Sequence, residues 1–588
     1  SAIAANQNPD TGVSYFQGGS VNLNGSSTGT TLTALSTGDV VGVAYDAATR
    51  KVWFSLNGSF LNSGDPAAGT NQITTLTENI NGYSWGCAPY STATVTLNAG
   101  QRSFRYTPPT DYVALCTQNL PTPTILKGSE HVGVSTWTGT DITAANTITG
   151  LGFSPDLIWA KSRSHAYNNK LTDTVRGGNK SLTSNNTVAE VTDEQYGYID
   201  TFNSDGFTST PGSGDNDYYN GTGKTYVAWT WNAGSNSNKT YTVKVVSDSG
   251  NKYRFDDFGT SAVTLELEEG STYVFDSSDS SVDGHPFVLG TSANSNEYST
   301  GVTYTLDGTD VTYSAYTSGF ATATTRKLTI TVPASAPTLY YWCSLHSGMG
   351  GQVNTNSTAG SSNFDGSIQT TVKANQSAGF SIMTLDFPTY SGTSSVGHGL
   401  NAAPHWWMMK DRDSADGWYV GHISLGAGKY VRLESSNAEG SSASLWDNTL
   451  PSSSVIYNNG ISMSGAGSYV MYAWAPVSGY SAFGSFSGNS SNPGPFRYCG
   501  FRPKWFMLKG VSANSRDWII LDAERDPINT AEKYLYPNSS GVEQSYDIVD
   551  FLSNGFQMRY SGGLANQSGE TYIWAAFAEN PFRVARAR

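Results

Sequence analysis

One set of landmarks recurs along this chain and limits what the chain can be built from. Gly152-Phe153-Ser154-Pro155-Asp156-Leu157-Ile158-Trp159, then Ser204-Asp205-Gly206-Phe207, then Lys224-Thr225-Tyr226-Val227-Ala228-Trp229 mark residues 128–236. The same order returns in 477–583 as Gly500-Phe501-Arg502-Pro503-Lys504-Trp505-Phe506-Met507, Ser553-Asn554-Gly555-Phe556 and Glu570-Thr571-Tyr572-Ile573-Trp574-Ala575. A looser copy fills 363–476, with Ala403-Pro404-His405-Trp406-Trp407-Met408, Asn459-Gly460-Ile461 and Ser468-Tyr469-Val470-Met471-Tyr472. A repeated scaffold keeps its core landmarks while its loops vary. In each copy the Pro-led strand is expected to bury alternating aromatic and aliphatic side chains. The Asn/Asp-Gly step makes a turn, and the Tyr-rich strand closes a sandwich.

Composition supports the same fold class. At 588 residues the chain is too long for one core. It holds 63 Gly, 34 Tyr and 15 Trp, with only 14% charged residues. Aromatic and β-branched residues pack on pleated surfaces, while Gly, Asn and Asp serve turns. The fold class is therefore all-β, a string of β-sandwich domains. The net charge of −14 comes without a long basic run, which excludes the electrostatic footprint of a nucleic-acid binder. No apolar run approaches the ~20 residues of a membrane-crossing helix, so no membrane insertion is expected. Ser1-Ala2-Ile3-Ala4-Ala5 lacks the basic and apolar regions of a signal peptide. Four Cys are too few for a disulfide scaffold. Whether Cys87 and Cys116 pair is open at this point, free thiols being the expectation.

In residues 1–120, Gly38-Asp39-Val40-Val41-Gly42-Val43-Ala44-Tyr45-Asp46 and Lys51-Val52-Trp53-Phe54-Ser55-Leu56 read as strands, with Asn57-Gly58 as a hairpin turn. This pattern resembles the SPRY β-sandwich, whose hallmark is a Gly-Asp-Val-(Ile/Val)-Gly strand followed by one ending in Asn-Gly. The resemblance implies closing strands at Ala88-Pro89-Tyr90 and Phe104-Arg105-Tyr106-Thr107-Pro108-Pro109, and a domain incomplete at its N-terminal side. Residues 121–127 form a Pro-rich connector, and 584–588 a basic tail.

Residues 239–356 interrupt the repeats. Strand-like runs at Thr240–Val246, Val263–Leu267, Thr272–Phe275 and Lys327–Val332 precede Tyr340-Tyr341-Trp342-Cys343-Ser344-Leu345-His346-Ser347-Gly348-Met349-Gly350-Gly351. Soft thiolate and thioether donors beside imidazoles suit copper. Gly348, Gly350 and Gly351 let such a loop bend tightly. Zinc is a weaker match, since Met is a poor zinc ligand. The layout resembles cupredoxins, in which one His comes from an early loop and the other ligands from the last loop. The resemblance implies His285, Cys343, His346 and Met349 as ligands of one copper ion, here with a mainly structural part, and Pro286 as a stiffener behind His285.

Ala575-Ala576-Phe577-Ala578-Glu579-Asn580-Pro581-Phe582, Phe364-Asp365-Gly366-Ser367-Ile368 and Tyr480-Ser481-Ala482-Phe483-Gly484-Ser485-Phe486-Ser487-Gly488 look like segments of large virion structural proteins of marine tailed bacteriophages. That resemblance implies a non-enzymatic structural role as a tail fibre or head-surface (capsid decoration) protein, in an extracellular virion. Its partners would be other virion proteins, further copies of the chain, and a host-surface glycan or receptor. A secreted glycan-binding adhesin or filament subunit is the alternative, and a copper electron-transfer protein a second.

The remaining constellations read as structural. His398, His405 and His422, with Asp411, Asp413 and Asp416, fall on a core strand and a turn without the ligand order of a calcium loop. Asp522, Glu524, Arg525 and Asp526 read as a solvated salt-bridge cluster. Tyr167–Thr187 and Asn203–Gly223 read as long polar recognition loops. No nucleophile elbow, phosphate-binding loop or zinc-protease helix is present, so no catalytic residues are assigned.

Overall fold

A computed structural model describes residues 12–579 apart from 78–85, 88, 90–91, 116–118, 120–122, 235–237, 357, 388–391 and 459–465. Ala88, Tyr90, Cys116, the Asn459-Gly460-Ile461 landmark, much of the connector and the basic tail lie outside those residues. The architecture is all-β, and the chain divides into two compact units that meet at residues 122 and 123.

In the first unit, Val41–Asp46 and Lys51–Leu56 pair antiparallel, with Val41 opposite Leu56. Asn57 and Gly58 turn the next hairpin, from Lys51–Leu56 into Ser59–Phe60, at φ 51° and 87°, the two positive values that a tight primed turn requires. Tyr15, Val21, Val52 and Phe54 bury the core. The expected strand at Phe104–Pro109 does not form. This segment is irregular, and Phe104 and Tyr106 are exposed. Pro108 and Pro109 have no N–H to offer a ladder, so the segment cannot extend the sheet.

In the second unit the three repeats share one strand order. The first runs Val132–Thr138, Thr225–Trp231, Leu157–Ser162, Lys170–Asp173 and Lys180–Thr183. The second repeats it with Phe380–Phe387, Gly467–Trp474, Trp406–Asp411, Tyr419–His422 and Lys429–Arg432. The third does so with Ser481–Ser487, Thr571–Ala578, Pro503–Gly510 and Trp518–Asp522. A second sheet, of three, two and four strands in the first, second and third copies, covers one face.

The Pro-led strands are buried on both faces, not on alternate positions. Ile158 and Ala160 face the first sandwich's own core, whereas Leu157 and Trp159 face a core shared by all three repeats. In the second repeat Trp407 and Met409 face inward, and Trp406 and Met408 reach the shared core. A strand buried on both faces reads as an unbroken apolar run, which is what these landmarks are. In the shared core, Trp231 meets Trp474, Trp505 and Phe577 edge to face at centroid distances of 5.8, 5.3 and 5.9 Å. Trp406 stacks on Trp474 at 4.1 Å. Each such pair adds about 0.5–1.5 kcal/mol beyond area burial.

Polar contacts close the three repeats into a ring. Glu190 N donates to Arg412 O, Glu439 N to Val511 O and Glu543 N to Arg163 O, each at 2.8 Å, linking first to second, second to third and third to first. Trp418 Nε1 reaches Thr183 O and Trp518 Nε1 reaches Arg432 O, both at 2.9 Å. At the third junction the matching donor is Asn169, whose Nδ2 reaches Ser539 O, also at 2.9 Å. Asp173, His422 and Asp522 occupy a third matched position: Tyr472 donates to Asp173, His422 Nε2 lies 3.1 Å from Trp574 O, and Trp229 donates to Asp522.

Three polar stretches are therefore placed differently from expectation. Asp522 and Arg525 are not solvated: both side chains are 0% exposed, paired at 2.7 Å inside the ring. Tyr167–Thr187 is not a free loop, because Lys170–Asp173 and Lys180–Thr183 within it are buried interface strands. Asn203–Gly223 likewise contains the strand Gly206–Thr210 and the short helix Asp217–Asn220.

Residues 239–356 form a separate sandwich between the first and second repeats. A six-stranded sheet, including Lys239–Ser247, Thr272–Asp276 and Arg326–Thr331, packs on a five-stranded sheet, including Leu339–Cys343 and Phe287–Ser292. Phe255, Phe275, Phe287 and Tyr341 fill the space between them.

Candidate metal centre

The sandwich brings His285 to Cys343 through its ladder. Phe287 lies opposite Cys343 in an antiparallel pair, and Ser344 N donates to Pro286 O at 3.1 Å. The ladder thus sets His285, two residues before its strand, beside the end of the Cys343 strand. Tyr253 OH fixes the His285 carbonyl at 2.9 Å. The loop then returns tightly. Gly348 has φ 76°, and a Cβ on Gly350 would lie 1.6 Å from Tyr341 O. Asn294 Oδ1 accepts from Gly348 N, and Met349 O accepts from Tyr253 N, both at 2.9 Å.

Both imidazoles turn Nδ1 toward the sulfur. Cys343 Sγ lies 3.8 Å from His285 Nδ1 and 3.6 Å from His346 Nδ1. One ligand atom from each of the three residues falls within 4.8 Å of the others. Ligands held about 2.0–2.3 Å from one ion in a trigonal plane stand about 3.7 Å apart. The two sulfur-to-imidazole separations match that spacing, and the donor set of one thiolate and two imidazoles fits copper. Among the described residues these three form the one such His, Cys, Asp or Glu group.

Cys343 is buried, His285 half-buried and His346 exposed, so the group sits at the rim of the sandwich. Met349, at the far end of the loop, is buried in the core cluster that includes Cys343. Burial, and then the facing His346, lower the pKa of His285 below the usual imidazole range. That favours the neutral ring, the form that binds metals. Asn251 Nδ2 lies 3.4 Å from His285 Nε2, on the ring edge away from the sulfur. Such outer contacts orient a ligand ring. Tyr253, Asn251 and Asn294 escaped sequence reasoning, because nothing in their local spacing ties them to the Cys343 loop.

The other histidines are not assembled into a site. His398 Nε2 lies 3.2 Å from Ser452 O and its Nδ1 accepts from Leu400 N, while His422 bridges the second and third repeats. Asp411 caps its own turn, accepting from Asp413 N at 2.8 Å and Ser414 N at 3.0 Å.

A search of curated proteins and of solved structures finds no match to the chain. One family model does match, a domain of unknown function, DUF7483, over residues 127–253 and 304–581. The matched segments span the three repeats. They include Cys343, His346 and Met349 and leave out His285. A match of that extent places the chain in a family: it belongs to DUF7483.

Proposed function

We propose that the chain is a structural component of a bacteriophage particle, a tail fibre or head-surface protein, whose inserted sandwich holds one copper ion as a staple. The observation that carries the copper part is the convergence of His285 Nδ1, His346 Nδ1 and Cys343 Sγ at separations that suit one ion. Met349 completes the donor set. A bound ion ties the turn before Phe287–Ser292 to the loop after Leu339–Cys343, and its binding free energy adds to folding stability. Cu(II) added to the full chain is expected to give an intense thiolate-to-copper absorption and a higher melting temperature. Absence of both removes the copper assignment. The structural role is supported by the closed ring, in which charged residues such as Asp173, Arg412 and Asp522 bind neighbouring repeats. Antibody labelling of intact particles, imaged by electron microscopy, tests the placement, and unlabelled particles would contradict it.

Exposed aromatics favour a second reading as a glycan-binding adhesin. Phe496 and Tyr498 stand on an edge strand of the third repeat, 40% and 60% exposed. Aromatic faces of this kind stack on sugar rings, and a glycan array with the Tyr498→Ala variant as control tests the idea.

A further inference from the structure

We propose that Lys373 and Asp156 condense into an intramolecular amide, with Glu268 as the proton carrier, cross-linking the first repeat to the second. The three residues come from three different sandwiches and meet at one point. Lys373 Nζ lies 3.1 Å from Asp156 Oδ1 and 3.1 Å from Glu268 Oε1. Their side chains are 12%, 5% and 7% exposed. A nucleophile held beside its electrophile in a water-poor site reacts as an effectively unimolecular pair.

The carboxyl group of Asp156 is fixed on both oxygens. Thr174 Oγ1 donates to Oδ1 at 2.9 Å, and Ala233 N donates to Oδ2 at 2.7 Å. The latter donor is placed to stabilise the oxyanion of a tetrahedral intermediate. Burial pushes the Asp156 pKa up, which favours the protonated acid that amide formation needs. Burial opposes charge on Lys373, but the two carboxylates outweigh it and raise its pKa. The reaction therefore begins with proton transfer from the ammonium to Glu268. The free amine then attacks Cγ of protonated Asp156, the new Nζ–Cγ bond forms, Glu268 passes its proton to the departing hydroxyl, and the Glu268 carboxylate so regenerated takes the surplus proton from Nζ. The C–O bond breaks and one water leaves. Ammonium, carboxylic acid and the Glu268 carboxylate give amide, water and protonated Glu268, with no change of oxidation state and no co-reactant. Glu268 also lines an open polar cleft with Glu269, Asn356 and Thr358, which gives that water an exit.

Repetition of the scaffold does not explain the triad. The position of Asp156 is fixed by its backbone N–H on Trp231 O and its carbonyl on Thr174 N. His405 makes the matching bonds to Trp474 O and Ile423 N in the second repeat, and Lys504 O accepts from Ala523 N in the third. Only the first repeat has a carboxylate there.

Intact-mass spectrometry of the denatured full chain tests the proposal. The expected mass is that of the sequence less one water, with a branched peptide joining the segments of Asp156 and Lys373 after proteolysis. The full sequence mass would overturn it. Lys373→Arg preserves the ion pairs but cannot form this amide, so it should show the full mass. Water loss persisting in that variant would also overturn the proposal. Asp156→Asn should yield the same amide by losing ammonia. Glu268→Gln should leave the folded chain uncondensed, and condensation at an unchanged rate in that variant would remove Glu268 from its role.

Discussion

Trp229 of the first repeat donates its indole N–H to Asp522 Oδ2 of the third at 2.9 Å, across 293 residues of chain. Arg525 holds the same oxygen at 2.7 Å and reaches Glu543 at 3.0 Å, and Glu543 in turn binds Arg163 of the first repeat. This network joins the last repeat to the first and completes the ring. Asp522 and Arg525 are sealed from solvent, so loss of either charge is not screened, whereas Arg163 and Glu543 are 21% and 15% exposed.

Asp522→Ala leaves the guanidinium of Arg525 buried without its nearest counter-charge. The expected cost is about 3–5 kcal/mol. Glu524→Ala, two residues on, removes a partly exposed pair with Lys504 and should cost about 0–1 kcal/mol. Urea unfolding measures both. Equal effects from the two variants would show that the ring contact carries no special weight.

His422 makes the repeats acid-sensitive. Its Nδ1 accepts from Ser424 N at 3.1 Å and its Nε2 faces Trp574 O, so the ring is neutral with the proton on Nε2. Burial pushes its pKa down to about 3. Between about pH 3 and 6.5 the unfolded chain binds the extra proton and the folded chain does not. Stability is therefore lost as pH falls through that window, by up to about 1.4 kcal/mol per pH unit. From pH 6.5 to 4.5 this residue should contribute a loss of about 2–3 kcal/mol. His422→Gln should flatten that part of the profile, and an unchanged slope would refute the assignment.

The apolar landmarks were legible because strands buried on both faces cannot hide their composition. Trp406-Trp407-Met408-Met409 serves two cores at once and reads as an uninterrupted apolar run. Ring closure was not legible. Its matched positions carry different chemistry, Asn169 against Trp418 and Trp518, or Asp173 against His422 and Asp522. Read alone, each polar residue looks solvated. Tyr167–Thr187 looked like a free loop for this reason, although Asn169, Asp173 and Ser184 are all 0% exposed between repeats. At the candidate metal centre, Cys343, His346 and Met349 are neighbours in sequence, so spacing exposed them. His285 stood apart as an upstream candidate and only the resemblance tied it to the loop, since a ladder spanning 58 residues of sequence is what brings it to Cys343.

Two matched lysines should act in the alkaline direction. Lys161 donates to Ser162 O at 2.9 Å and to Ser540 O of the third repeat at 3.0 Å, and Lys509 donates to Arg516 O. Burial lowers both pKa values to about 7. Below pH 7 folded and unfolded chains both carry the charge, and the burial cost is fully expressed. Between about pH 7 and 10.5 the folded chain releases its protons first, so stability rises with pH. Each lysine should add about 2–3 kcal/mol on going from pH 7 to 9. Lys161→Met should remove its share of that gain in paired urea titrations. A pH-independent difference between variant and parent would contradict this.

Gly350 decides whether the candidate metal loop can close. A Cβ there would lie 1.6 Å from Tyr341 O and 2.6 Å from Tyr341 C, backbone atoms that no side-chain rotation can clear. Gly350→Ala must therefore push the loop away from the Leu339–Cys343 strand, taking Met349 and His346 with it. Gly348→Ala differs, since it meets nothing within 4 Å and carries only the strain of φ 76°. That strain costs about 1–2 kcal/mol. Overpacking at Gly350 should cost about 3 kcal/mol. Because the loop holds His346 at 3.6 Å from Cys343, its displacement should also weaken Cu(II) binding about 10–100-fold, the range seen when a ligand's support is removed. Thermal melts of the metal-free variants, followed by Cu(II) titration, separate the two effects. If Gly350→Ala binds Cu(II) as tightly as Gly348→Ala, the loop does not set the ligand geometry.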